Sequence, residues 1–259
     1  MTIKKSRRRL ALDGDAVVKE ALRRLGQPSR RLFLQRSLTL GGLSLLTGCA
    51  IVDEDAVENA LMKVSRFNDK MQGWLFDPNL LAPTYPESMI TRPFPFNAYY
   101  GEDEVRQVDA GSYRLEVGGM VADKHAWTLP ELQALPQTDQ VTRLICVEGW
   151  SAIGKWGGVP FSSFLSRVGA DTSAKYIGFK CADDYYTSID MPTALHPQTL
   201  LTLSYDGQLL PPRYGFPMKL RMPTKLGYKN PKHIQAIFVT NTYPGGYWED
   251  QGYNWFGGS

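Results

Sequence analysis

From Tyr113 to Val121 the stretch YRLEVGGMV alternates apolar and polar positions with the period of two that a half-buried strand requires, and it closes on a Gly-Gly pair suited to a turn. QVTRLICVEG predicts a buried strand running into a glycine-rich loop, Gly149 to Gly158, and AKYIGFKCAD, TLLTLSYDGQLL and HIQAIFVTNT predict further strands. Helical signals are fewer. TLPELQAL, Thr128–Leu135, places Thr before Pro at a helix start. PFSSFLSRVG, Pro160–Gly169, reads as a helix closed by Gly169. VDEDAVENALMKVSRFNDKMQGWLF predicts a short helix, after which the proline-rich LAPTYPESMITRPFPFN breaks regularity. Short strands therefore dominate, without internal repeats or a sustained βαβ alternation. The fold class that follows is α+β, mixed and strand-dominated.

The N-terminus follows a different pattern. SRRLFLQ, Ser29–Gln35, precedes SLTLGGLSLLTGC, an uncharged run of apolar and small residues ending at Cys49. A basic flank and a run too short to span a bilayer comfortably predict an export signal over 1–49. Arg30 and Arg31 before Phe33 and Leu34 look like a twin-arginine signal, the address of a bacterial pathway that carries folded proteins. LTGC resembles a lipoprotein box, with Cys49 as the acylated residue. The expected location is periplasmic, with a lipid anchor at Cys49, and 50–95 is expected to be a linker and irregular wrap. An ordinary basic-flanked anchor is the bland alternative.

Charge sharpens this division. The first 49 residues hold 11 of the 29 Lys and Arg but 3 of the 26 Asp and Glu, which leaves 18 bases against 23 acids beyond them. A net acidic remainder argues against nucleic acid as the partner. With 3 cysteines and no CxxC or CxxCH, a disulfide scaffold, a structural zinc site and covalent haem are all unlikely readings of the chain.

The chemistry gathers in RLICVEGWSAIGKWGGVPFSSFL, Arg143–Leu165. A lone cysteine such as Cys146 is ordinarily an inert buried thiol. It serves as a metal ligand when a positive neighbour lowers its pKa, and Arg143 and Lys155 are the local candidates. A second signal is the absence of any acid between Asp206 and Glu249, where Arg213, Lys219, Arg221, Lys225, Lys229 and Lys232 accumulate. That is a localised positive field suited to a phosphate dianion, or else a solvated basic face.

The Cys146 segment, followed by WGGVPFSSFL, HPQTLLTLSYDGQLLPPRYGFPMKLRMPTKLGYKNPKHIQAI and GGYWEDQGY, resembles the sulfite-oxidase-type molybdopterin oxidoreductases over most of residues 95–255. The nearest branch is the haem-free, exported one that includes the periplasmic methionine-sulfoxide reductase catalytic subunit. The resemblance implies a catalytic domain over 96–259 that binds molybdenum and molybdopterin, with Cys146 as the metal's protein ligand. For the pterin it implies Asn97, Tyr100 and Gly101 at the groove mouth, Cys181 at a strand end, Tyr214 and Lys219, and the loop residues Asn230, Pro231 and Lys232. Cys181 lines that pocket or packs as a small apolar side chain. Glu148 borders the metal as a proton relay or braces the loop, and Arg143 meets an anionic substrate or pairs with an acid. The implied activity is a two-electron oxygen-atom transfer on a small sulfur or nitrogen compound, either a small-molecule or protein-bound sulfoxide or an oxyanion. Electrons would be exchanged with a membrane cytochrome b or a soluble cytochrome c. The rival is a non-catalytic envelope lipoprotein that keeps the fold without the cofactor.

Overall fold

A computed structural model describes residues 54–259; the arginine pair at 30 and 31 and Cys49 lie outside the described residues. The first element is a helix, α1 (Glu54–Leu75), 22 residues long and so longer than the short helix expected within the 50–95 segment. The chain then runs without regular strands past Asn97 before entering the sheets.

Two five-stranded sheets carry the rest. The first has the order β2-β1-β10-β5-β6, from β1 (Arg114–Gly119), β2 (Trp127–Thr128), β5 (Tyr176–Cys181), β6 (Tyr186–Asp190) and β10 (Ile234–Thr240). Only the β1–β10 pairing is parallel in this sheet, and it sets the first strand beside the last. The second has the order β3-β4-β7-β8, from β3 (Thr138–Ile145), β4 (Ser151–Pro160), β7 (Leu200–Tyr205) and β8 (Gln208–Leu209), with β9 (Lys219–Arg221) also on β7. Three short helices, α2 (Leu129–Ala134), α3 (Phe161–Arg167) and α4 (Met191–Leu195), fill the gaps. α2 starts as its sequence predicts: Thr128 Oγ1 accepts the Glu131 N–H at 3.3 Å, and the Glu131 carboxylate accepts the Thr128 N–H at 2.7 Å.

Alternation decides which side chains build the core. Leu115 and Val117 of β1 point inward with Ile177 and Phe179 of β5 and Ile237 and Val239 of β10. Phe161 and Phe164 of α3 are completely buried against them. Truncating either aromatic costs about 3–5 kcal/mol, so this packing anchors the frame on which the loops stand.

The expected glycine-rich loop from Gly149 to Gly158 is a correction: only residues 146–150 form the turn, and the following ten form β4. Its glycines answer close approach, not flexibility. A Cβ on Gly158 would lie 2.0 Å from the Leu201 carbonyl oxygen, and one on Gly157 would lie 2.2 Å from the Asp139 carboxylate. The Gly-Gly turn after β1 behaves similarly. Gly119 has φ +75°, and a Cβ there would lie 2.1 Å from the Val239 carbonyl oxygen, whereas Gly118 has open space. Gly119→Ala is therefore expected to lower unfolding stability by about 1–3 kcal/mol in urea titrations. Gly118→Ala serves as the comparison and is expected to change it by less than about 1 kcal/mol.

Candidate active site

β3 delivers Cys146 to the end of the second sheet. The five-residue connection to β4 is pinned by the Cys146 N–H donating to the Trp150 carbonyl at 2.9 Å and the Gly149 N–H donating to the Cys146 carbonyl at 3.1 Å. Gly149 turns the corner at φ +91°. The thiol is buried, and two groups reach it: Asn97 Nδ2 donates to Sγ at 3.4 Å, and Glu148 Oε2 accepts from it at 3.6 Å. The Trp150 indole N–H holds the same Glu148 oxygen at 2.9 Å. Among the described residues no positive neighbour lowers the thiol, which corrects that expectation. Burial, then the Glu148 carboxylate, push it above its ordinary value. Lys155 is occupied by Glu87 at 2.7 Å. A thiol so placed gives up its proton when a metal binds, because the thiolate is the ligand.

Three further segments close a cavity of about 130 Å³ over this sulfur. Asn97, Ala98 and Tyr99 come from the irregular run before β1, Asp183 and Tyr185 from the β5–β6 turn, and Gly227, Tyr228, Asn230, Pro231 and Lys232 from the loop after β9. Trp248 and Tyr253, from the aromatic segment near the C-terminus, complete the wall. Lys232, Glu148 and Asp183 are the charged side chains of this lining, Glu148 in contact with the thiol, and the rest is aromatic or neutral.

The sequence candidates divide by where they are placed. Asn97, Cys146, Glu148, Asn230, Pro231 and Lys232 all line the cavity. Asn230 is consumed structurally: its Oδ1 accepts the Met222 N–H at 2.7 Å and an Arg221 N–H at 3.3 Å, and its Nδ2 donates to the Leu226 carbonyl at 2.9 Å. Tyr100 stands behind the wall and donates its hydroxyl to Asp183 at 2.9 Å; Gly101 only opens the short turn over residues 102–104. Tyr214 packs in a second aromatic cluster and donates to the Phe94 carbonyl at 2.9 Å. Cys181 is in the main core, where burial pushes its thiol well up, and it does not line the cavity. Arg143 is not brought in either. It is exposed on the opposite face of β3 from Thr142 and Leu144, with its guanidinium 5.7 Å from the Tyr85 ring centre. A strand alternates its side chains, so residues three apart such as Arg143 and Cys146 face opposite ways.

The basic stretch is not a solvated face. Lys219, Arg221, Lys225, Lys229 and Lys232 are all buried. Two of them are structural: Lys229 pairs with Glu249, and Lys225 donates to the Phe256 carbonyl at 2.9 Å. The others behave differently. Lys219 Nζ lies 4.7 Å from the Trp156 ring centre and has no hydrogen-bond or ion-pair partner among the described residues. Burial, then the charges of Lys232 and Arg221, hold its pKa well below the ordinary lysine value. Burial brings Lys232 down to about 8. Arg221, lowered by burial to about 9 and still charged at neutral pH, ties the β3 carbonyl of Arg143 (2.6 Å) to Asn230, so it clamps the cysteine strand to the cavity loop. Its Nε, together with Arg213 Nε and His233 Nε2, is buried without a partner. Gly215 lies between the stems of two of these lysines: a Cβ there would lie 2.9 Å from Lys232 and 3.2 Å from Lys219.

A soft thiol in a cavity that also holds the buried Lys232, with the unpartnered Lys219 next to it across Gly215, fits a metal carried by a phosphorylated pterin. Sequence reading had missed Tyr99, Asp183, Tyr185 and Tyr228. Of these, only the Asp-Asp pair after a strand, a turn signal, could have drawn attention.

Known proteins share this chain's sequence family and fold. Residues 102–248 match the family model described as oxidoreductase molybdopterin binding domain. The chain is 76% identical to a provisionally named protein-methionine-sulfoxide reductase subunit, YedZ1, of Azospira oryzae, over 98% of this chain and 99% of that protein. It is 33% identical to the protein-methionine-sulfoxide reductase catalytic subunit MsrP of Xanthomonas axonopodis pv. citri over 154 residues, which cover 53% of this chain and 48% of that one. The MsrP of Burkholderia mallei is 32% identical over 56% of this chain and 49% of its own length, so the match spans about half of these relatives. The sulfane dehydrogenase SoxCD of Paracoccus pantotrophus shares the fold, with a TM-score of 0.50 and 19% identity over 53% of this chain and 40% of that one.

Proposed function

This chain belongs to the oxidoreductase molybdopterin-binding domain family, and from that premise we propose that it is an exported reductase of sulfoxides, free or in proteins, with methionine sulfoxide as the leading substrate. The observation that carries the reading is Cys146 in the wall of a cavity lined by Tyr99, Tyr185, Tyr228, Trp248 and Tyr253 that also holds the buried Lys232. Molybdenum held on the pterin supplies the two-electron change that accompanies oxygen-atom transfer; the protein positions and protects it.

Each residue's part follows from its contacts. Cys146 provides the thiolate, and Asn97 Nδ2 orients it through the bond at 3.4 Å. Lys219, which has no hydrogen-bond or ion-pair partner among the described residues, and Lys232, which donates only to the Arg213 carbonyl at 3.1 Å, would hold the pterin's anionic end. Tyr99, Tyr228 and Trp248 exclude water and pack against an apolar thioether stem. Glu148 Oε2, fixed by the Trp150 indole beside the sulfur, is placed to relay from solvent the two protons that sulfoxide reduction consumes with two electrons to release water. Among the described residues Lys232 is the one basic side chain lining the cavity, and Arg143 points away from it, which favours a neutral sulfoxide over a doubly charged sulfite. The names borne by the MsrP relatives favour the same choice. Electrons come from a separate cytochrome, b or c type, since the sequence holds no haem attachment motif of its own. Arg30 and Arg31 support export by the twin-arginine route, and LTGC supports acylation at Cys49.

The deciding assay uses the molybdenum-loaded protein with a reduced dye and methionine sulfoxide, against sulfite with an oxidising dye. Faster turnover of the sulfoxide is expected; sulfite oxidation as the faster reaction would overturn the choice of substrate. The anion site has its own pH signature. Lys232 is lowered to about 8 in the folded protein, so it loses its positive charge as the pH rises through that value. Binding of pyrophosphate to cofactor-free protein, followed by calorimetry, is therefore expected to weaken above pH ~8. Lys219→Met should weaken it most at low pH, where Lys219, its pKa also lowered by burial, can carry charge.

A further inference from the structure

Helix α1 is amphipathic with its faces reversed. At about 100° per residue, Leu61, Val64, Phe67, Met71, Trp74 and Leu75 fall within an arc of about 140°. That arc faces away from the domain: Trp74 is 77% exposed, Leu75 70%, Leu61 64% and Phe67 61%. The opposite arc carries Ser65, Arg66, Asp69 and Gly73, which face the sheets across a cavity of about 610 Å³ shared with Tyr176, Tyr243 and Trp255, and Lys70 stands exposed at the edge between the two arcs. Asp69 fastens this side by accepting the Phe256 N–H at 2.9 Å. Leu80 and Leu81, 69% and 57% exposed, extend the apolar surface beyond the helix. A helix that spends its polar side on its own domain and offers its apolar side outward has a partner for that side.

We infer that this outward face lies on a lipid bilayer surface. Three observations choose the occupant. The uncharged apolar run ending at Cys49 precedes the helix by five positions, a reach of at most ~18 Å, so a membrane that takes up that run comes within range of α1. Lys63 and Lys70 are exposed along one border of the stripe, where their ammonium groups extend to headgroup phosphates while their stems cover apolar surface. Paired antiparallel with a second copy, the same borders would set lysine against lysine. Finally, no described helix is long and apolar enough to cross a membrane, which leaves α1 lying along the surface, with Trp74 at its end as the interfacial aromatic.

The test is independent of molybdenum and of turnover. The full chain is incorporated into phosphatidylcholine–phosphatidylglycerol vesicles, with and without acyl-chain-brominated lipid, and tryptophan emission is followed. Bromine is expected to quench a component of the wild-type emission that is missing from Trp74→Phe and weakened in the double variant Phe67→Ser, Met71→Ser, with helix content unchanged by circular dichroism. Equal quenching of wild type and Trp74→Phe would overturn the inference. So would an unquenched wild type, and cross-linked dimers lost in the double variant would then assign the face to a second copy.

Discussion

Cys146→Ser is expected to abolish sulfoxide turnover while the protein still folds. A serine hydroxyl is a poor ligand for a metal that selects soft thiolate, and loss of a direct ligand exceeds the ~10–100-fold typical of losing a supporting hydrogen bond. The expected fall is on the order of 10³-fold or more. The side chain is buried, but its polar contacts come from Asn97 and Glu148, which can also bond a hydroxyl, so stability should shift by less than about 1.5 kcal/mol. An inert core cysteine would behave the other way round, losing stability and leaving turnover intact. Dye-coupled kinetics beside urea unfolding separate the two outcomes.

The second large effect is structural. Lys229 and Glu249 form an ion pair whose side chains are both 1% exposed. The ammonium also donates to the Ser188 carbonyl at 2.7 Å and the Thr187 hydroxyl at 3.1 Å. Burial lowers the Lys229 pKa, and the Glu249 carboxylate opposes that shift. Lys229→Met strands a buried carboxylate and is expected to cost about 3–5 kcal/mol, read as a lower urea midpoint. Adding Glu249→Leu removes the stranded charge and is expected to return part of that loss, a coupling that a double-mutant cycle measures directly. The pair also braces the site, because Tyr228 and Trp248, its sequence neighbours, line the cavity. Lys229→Met should therefore raise KM for the sulfoxide even where the protein remains folded.

Those two lysine roles show where sequence reading ends. The stretch from Arg213 to Lys232 was legible as a positive field because no acid interrupts it, and Lys219 and Lys232 do remain without carboxylate partners in direct contact. Lys229 and Lys225 could not be told apart from them, since Glu249 and the Phe256 carbonyl come from 20 and 31 residues away in sequence. The strands β1, β5, β7 and β10 were legible through alternation or apolar runs bounded by turn residues. β4 was not, because Gly154, Gly157 and Gly158 carry the composition of a loop while serving close contacts with Trp156, Asp139 and Leu201. Cys146 was legible from its motif, yet Arg143, three residues earlier in the same motif, was drawn towards the site until the register of β3 and β4 fixed its opposite face. Tyr99 and Asp183 meet across 84 positions of sequence, a contact that only the folded chain reveals.

The bond from Cys146 sulfur to the metal is best tested by molybdenum X-ray absorption on loaded wild type and Cys146→Ser. The expected result is one sulfur scatterer fewer in the variant, with the pterin's own sulfurs retained. Identical sulfur coordination in the two proteins would contradict the assignment.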